Sequence, residues 1–167
     1  MHYTKVISAL RKFQGEMPLL VGNEMVNFAL DNLRKEEDAD GIPFKPRSSK
    51  ARRNRGRRLL MDRGDGERSI RILIANRQKV EITANDYMQA HNVGYKGTVT
   101  VRAHARRRTS LTRSGNRTNR TANVNAGQVN AHTRNMNLPR RTFLAPGQRL
   151  NKRLVLVLTN RLNKLLR

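Results

Sequence analysis

The chain has 167 residues, enough for one domain with a core of its own. Lys and Arg outnumber Asp and Glu 35 to 12, a formal charge of +23 that attracts polyanions and that a neutral partner does not explain. There is no cysteine, which excludes a disulfide framework and Cys-containing zinc sites, and no stretch approaches the roughly 20 apolar residues that span a bilayer.

The N-terminus MHYTKVISALRKF has no uninterrupted apolar run of the signal-peptide kind, so a soluble protein without an export signal is expected. From Tyr3 to Phe13, Val6, Ile7, Leu10 and Phe13 fall at three- and four-residue spacings, which predicts a short amphipathic helix. Gly15 and Pro18 interrupt it, and Pro18 suits the first turn of a second helix, where its missing N–H has no intrahelical partner. That second helix runs to about Leu33 and is apolar over more than half its circumference, which places it in the core or at a subunit interface. The acidic run Glu36-Glu37-Asp38-Ala39-Asp40 and Gly41 end it.

Pro43 and Pro46 then hold the chain extended, and residues 42–60 read as a basic arm. Between Lys45 and Arg58 lie eight basic residues, no acid and almost nothing apolar, so the segment cannot bury itself and is held by a partner or stays mobile. Leu59, Leu60 and Met61 re-anchor it. Ile70, Ile72 and Ile74 alternate with Arg71 and Leu73, and Val80 and Ile82 alternate with Lys79, Glu81 and Thr83; two strands with a tight turn at 76–78 follow. Asp86 to His91 reads as a short helix or turn closed by Gly94.

Thr98–Arg106 and Val129–Arg134 also alternate and resemble one another, with Val101/Val129, Ala103/Ala131, His104/His132 and Arg106/Arg134 matching in order. They read as the strands of a long hairpin inserted at 96–136, with a disordered tip across the Ser/Thr/Asn/Gly/Arg-rich segment 107–128. From Gln148, the spacing of Leu150, Leu154, Val157, Leu158, Leu162 and Leu165 predicts a C-terminal helix of about five turns. The sum is a single α+β domain over 1–167: N-terminal helices, a small antiparallel sheet, a protruding β-hairpin and a C-terminal helix.

Four segments resemble the phage virion-morphogenesis or tail-completion family, which is similar to neck and head–tail joining proteins of long-tailed phages. Gly41-Ile42-Pro43-Phe44-Lys45-Pro46 stands where that family carries Gly-x-Pro-Trp-x-Pro. Leu60-Met61-Asp62-Arg63-Gly64 with Arg68-Ser69-Ile70 is similar to its Leu-x-Asp-Thr-Gly followed by x-Ser-Ile. Tyr87-Met88-Gln89-Ala90-His91-Asn92-Val93-Gly94 is similar to Tyr-Ala-x-x-His-Gln-x-Gly, and Leu138-Pro139-Arg140-Arg141-Thr142-Phe143-Leu144 to Met-Pro-Ala-Arg-Pro-Phe-Leu. Order and spacing agree over roughly residues 3–166, except for the longer insertion between about Lys96 and Asn135. Arg63, Asn92 and Thr142 depart from the family's Thr, Gln and Pro.

The resemblance implies a non-enzymatic virion component, made in the bacterial cytoplasm and placed at the head–tail junction. It would form a homo-oligomeric ring through which the genome passes, between head-side connector or portal-adaptor proteins and tail terminator or tail tube proteins. Whether the chain is itself a tail terminator or a head–tail adaptor stays open. No membrane partner and no cofactor are implied.

The last acidic residue is Asp86, and the 81 residues from Tyr87 to Arg167 hold 17 Lys or Arg and no carboxylate. Such asymmetry marks a contact with nucleic acid or with acidic protein. The contact residues expected are Arg52, Arg53, Arg55, Arg57 and Arg58 in the arm, and Arg106, Arg107, Arg108, Arg113, Arg117 and Arg120 in the insertion. Genomic DNA phosphates and acidic patches on an adjoining ring call for the same chemistry, so both stay open. Only seven aromatic residues are present and none lies in the basic loops, so a DNA contact would be to backbone rather than to bases. The alternative from another class is a basic nucleic-acid-binding protein, ribosome- or nucleoid-associated.

Other clusters read structurally. Asp62, Asp65 and Glu67 are interleaved with Arg63 and Arg68 and with glycines, which suits a turn entering a strand better than a metal site. His91 beside Tyr87 has no nucleophile or acidic orienter near it in sequence and reads as a packed histidine. His104 and His132 would make an incomplete metal site, and read as a cross-strand polar pair. No phosphate loop, catalytic triad or metal-ligand spacing appears.

Overall fold

A computed structural model describes residues 2–46, 59–60, 64–114 and 117–167. The chain is α+β, in the order α1 (His2–Lys35), α2 (Asp65–Ser69), β1 (Arg71–Ala75), β2 (Val80–Thr83), α3 (Asp86–Val93), β3 (Tyr95–Val101), β4 (His104–Ser114), β5 (Arg117–Val129), β6 (His132–Leu138) and α4 (Gln148–Leu166). Two compact units result, one from Met1–Tyr95 with Leu138–Arg167 and the other from Lys96–Asn137. Among the described residues no helix is long and apolar enough to cross a membrane.

The two N-terminal helices expected from Gly15 and Pro18 are one helix of 34 residues, with Pro18 inside it. Proline there removes the bond its N–H would make to the Gln14 carbonyl. The helix is carried across that gap from outside, because α4 is fastened to α1 on both sides of it. Arg161 reaches Glu16 with Nε at 2.7 Å and Nη2 at 2.9 Å, and Arg153 Nε donates to Glu24 at 2.5 Å. Arg153 Nη1 also donates to Asp31 at 2.8 Å, and Arg149 reaches Glu37 at 3.4 Å.

The helices are therefore antiparallel, with acids on one and arginines on the other. Beneath the ion pairs Phe28 is buried with Leu150 and Ala39, and the guanidinium carbons of Arg153 and Arg149 lie 5.7 Å and 6.0 Å from its ring centre. The contact combines apolar burial with cation–π attraction. Burial works against the charge on Arg153, yet its bonds to Asp31 and Glu24 more than offset this and raise its pKa. Arg161 holds the Glu16 carboxyl below its usual range.

α1 stops where Glu36 turns into the left-handed region at φ 58, with Glu37 N–H returning to the Asn32 carbonyl and Glu36 N–H to the Leu33 carbonyl. These bonds satisfy two of the helix's last carbonyls. β1 and β2 form the expected antiparallel pair, Ile72 opposite Ile82, with a bulge at Leu73 that lets Ile72 and Ile74 share the inner face. Ser69 ends α2 rather than starting the strand, because its Oγ turns back to the Gly66 carbonyl. The main core joins Ala29 and Leu33 of α1 to Phe44, Leu59, Leu60, Ile70, Met88 and Phe143.

In the second unit, β4 pairs with β5 from His104–Val129 out to Ser114–Arg117. The segment expected to be a disordered tip is thus strand over most of its length; ladder bonds replace the apolar burial it lacks. The two expected strands are each broken, so that β3 with β6 and β4 with β5 make separate ladders. The breaks fall at Arg102–Ala103 and Asn130–Ala131, the same place in the Val-x-Ala-His repeat. At each, the histidine Nδ1–H donates to the carbonyl two residues earlier, His104 to Arg102 and His132 to Asn130, both at 3.0 Å. Turning those carbonyls onto a side chain interrupts the ladder. His104 stands opposite Val129, not opposite His132, so the expected cross-strand pair is not formed.

Arg153→Ala leaves the Glu24 side chain, only 10% exposed, without its counter-charge. The expected loss is about 2 kcal/mol, read as a thermal midpoint lower by about 5 °C. Arg153→Leu combined with Glu24→Leu should recover most of it, since the pair is then replaced by apolar contact.

Candidate functional site

The four segments singled out in the sequence meet in one place. Phe44, Leu60 with Ile70, Met88 and Phe143, one or two residues from each, belong to the same buried cluster. Around it, residues 140–144 are fastened by backbone and side-chain bonds to every neighbouring element. Asn92 forms a reciprocal clasp with Leu144, donating from Nδ2 to its carbonyl and accepting its N–H on Oδ1, both at 3.0 Å. The Thr142 hydroxyl donates to the Asn92 carbonyl at 3.2 Å and accepts from Arg140 Nε at 2.8 Å. Ala39 N–H donates to the Thr142 carbonyl, and Asn32, 1% exposed, donates to the Phe143 carbonyl.

Arg141 is the centre of this knot. It is buried, its own N–H donates to the His91 carbonyl at 2.8 Å, and its guanidinium donates to the Lys45 carbonyl from Nη2 at 2.9 Å and Nε at 3.3 Å. Its Nη1 also donates to His91 Nδ1 at 3.3 Å, so the imidazole carries its proton on Nε2. His91 is buried and packs edge-on to Tyr87, ring centres 4.7 Å apart. Burial first, and then the charge of Arg141, push the His91 pKa below its ordinary 6.5. A neutral histidine is what this site requires, because its ring must accept from a cation.

The knot controls the arm at both ends. On the way out, Phe44 is buried and the Lys45 carbonyl is held by Arg141. On the way back, Leu59 and Leu60 are buried, as expected, and the Leu59 N–H donates to Glu36 Oε1 at 2.6 Å. Residues 47–58, which carry seven Lys or Arg, run between these fastenings; they lie outside the described residues, and with them Arg52, Arg53, Arg55, Arg57 and Arg58. Arg106, Arg107, Arg108, Arg113, Arg117 and Arg120 lie on β4 and β5, where the backbone alone is described. The first five and the last six therefore belong to different parts of the chain, and no side-chain geometry brings them together.

Among the described residues no three His, Asp or Glu gather in a way that could hold a metal. Asp65 and Glu67 lie in the first turn of α2, with Glu67 accepting from Arg34 at 3.0 Å; Asp62 lies outside the described residues. A polar cavity of about 420 Å³ opens beside the knot, lined by Asp38, Asp40, Phe44, Arg140, Arg141 and Thr142 among others. Its mixed charge suits a polar chain segment better than a simple anion or cation. What the arrangement does chemically is hold: it presents a cationic loop by two fixed roots.

Two measurements test the knot. Gly94 has φ 82 and ψ 152, and a Cβ there would lie 3.3 Å from the Arg140 backbone nitrogen. Gly94→Ala should therefore cost about 2–3 kcal/mol in urea unfolding. His91 supplies a pH signature. Above its ordinary value the ring is neutral folded and unfolded; as pH falls through 6.5 the unfolded chain binds a proton that the folded chain resists. Stability is then lost progressively until the depressed folded-state pKa is reached. The expected outcome is a steeper loss between pH 7 and pH 5 for the native chain than for His91→Gln, which keeps an acceptor for Arg141; equal slopes would contradict it.

No curated protein and no solved structure matches the chain. The family model that does match describes phage virion morphogenesis and aligns with residues 4–163, a span that includes α1, the arm and its anchoring knot, the strand insertion and most of α4. With that coverage the chain belongs to the phage virion morphogenesis family, and its role is in the structure or assembly of the virion.

Proposed function

We propose that the protein is the neck, or tail-completion, subunit of a tailed phage: a ring-forming structural protein that joins tail to head around the DNA channel. The observation that carries this reading is the convergence of the four family segments on the knot that fixes both roots of the basic arm. A core built to present a long cationic excursion is of use to a protein whose partners lie outside its own fold. The strand insertion points the same way, since Lys96–Asn137 holds nine Lys or Arg and no acid. Head-side connector proteins, tail terminator or tail tube proteins and genomic DNA are the partners for which such charge has a use.

Electron microscopy of purified virions tests the proposal. The expected result is a ring of copies at the top of the tail, and phage lacking the protein should accumulate filled heads and unjoined tails. Normal virions assembled without it would sink the reading.

The alternative, a basic nucleic-acid-binding protein, draws on the same acid-free insertion, and salt dependence separates the two. If the insertion contacts phosphates, replacing Arg106, Arg107 and Arg108 with Ala should weaken DNA binding and flatten the slope of log K against log salt by about 2–3. If the insertion docks on an acidic neighbour instead, the slope should stay within about 0.5 of the native value. The loss should then appear in co-purification with the adjoining virion protein.

A further inference from the structure

We propose that neighbouring copies in the ring join head to tail, the outer face of α4 on one copy packing against the N-terminal turns of α1 on the next. This rests on the ring reading above and assigns its interface. The argument begins with a mismatch of lengths. α1 has 34 residues, about 51 Å of helix. Its members of the two core clusters run only from Met25 to Leu33.

Beyond the core the apolar pattern of α1 continues. Tyr3, Val6, Ile7 and Leu10 recur at three- and four-residue spacings and so share one face, yet they are 86%, 41%, 49% and 42% exposed. Ala9 alone is buried in these turns, beside the end of α4 at Leu165 and Leu166. α4 shows the second unpartnered stripe. Its inner side is occupied by Leu150 and by Arg153 and Arg161 in their ion pairs with α1. On the opposite side Val155 and Leu156 are 64% and 61% exposed and, with Thr159, line a shallow and almost wholly apolar depression. A helix apolar on both sides has a partner on both.

Three features point to a second copy of this chain as the occupant. The stripes lie on different helices and differ in composition, so each copy carries both halves of a heterologous contact, the kind that closes into rings. Their apolar residues expose on the order of 700 Å², which with a polar rim reaches the roughly 1,200 Å² of a small specific interface. One stripe offers bulky residues and the other a depression of about 520 Å³ that can receive them. Lys5, Arg11 and Lys12 flank the first stripe and Lys152 the second, so the rims repel. Salt should therefore strengthen this contact by screening, where it weakens phosphate binding.

Sedimentation velocity on the full-length protein decides the matter with two double variants, Ile7→Glu/Leu10→Glu and Val155→Glu/Leu156→Glu. All four positions are exposed, and circular dichroism with a thermal midpoint near the native one verifies folding. The native protein should assemble into a closed oligomer, more so in higher salt. Each variant alone should be monomeric, its self-association weakened at least about 100-fold. An equimolar mixture of the two should form a 1:1 dimer and nothing larger, because one intact interface remains between the sound α4 of the first variant and the sound α1 of the second. Variants that still assemble like the native chain would overturn the interface and leave the ring reading standing. A mixture that stays monomeric would also overturn it, and a native protein monomeric at every salt concentration would remove ring and interface together.

Discussion

The placement of the carboxylates is the constraint on which the structure depends. All twelve precede Tyr87, so any arginine in the following 81 residues that is to be neutralised within the chain must come back to the N-terminal half. α4 does so: Arg149, Arg153 and Arg161 meet Glu37, Glu24 with Asp31, and Glu16 along one flank of α1. Surface pairs of this kind stabilise little one at a time. Here they form a series on two antiparallel helices above Phe28 and Leu150, and they set the register in which the apolar residues interlock. They also hold α1 together across Pro18, where its own hydrogen bonding is interrupted.

The same distribution leaves the rest of the positive charge unsatisfied by design of the sequence. Glu67 is taken by Arg34, Glu81 by Lys79, and Asp38 and Glu36 by backbone N–H groups. Acids that cap turns and clamp helices are not available to the strand insertion, whose own sequence offers none. The knot around Arg141 adds the positional element. A guanidinium holding the Lys45 carbonyl and a carboxylate holding the Leu59 N–H fix where the basic excursion leaves and rejoins the core, whatever the intervening residues do.

Much of this fold was legible in the sequence, and the limits have physical causes. The alternation of Ile70, Ile72 and Ile74 against Val80 and Ile82 reads directly as a hairpin because one face is buried and the other is not. The C-terminal helix reads just as directly from its leucine spacing, and Leu59 and Leu60 were identifiable as anchors by being the first apolar residues after the arm. Pro18 misled because propensity is local while the support that carries α1 through it comes from α4, more than a hundred residues away. The Val-x-Ala-His repeat was visible as similarity, but its consequence, a carbonyl captured by a histidine in each strand, depends on geometry that periodicity does not contain. The knot was legible only in part: His91, Asn92 and Arg141 stood in the quoted segments, while their pairing across 50 residues had no local signal.

Charge also sets a condition on any assembly of this chain. A ring of copies, each at +23, accumulates self-repulsion that grows with every subunit added, and apolar stripes of modest area oppose it only weakly at low salt. The repulsion falls when polyanionic DNA or an acidic neighbouring ring lies against the arm and the insertion, since counter-charge then reaches all copies at once. Self-association and partner binding are in that case linked, each raising the affinity of the other by the same factor. A subunit so built would stay dispersed while free and close into a ring where its partner is already in place, which is the order of events that joining a finished tail to a filled head requires.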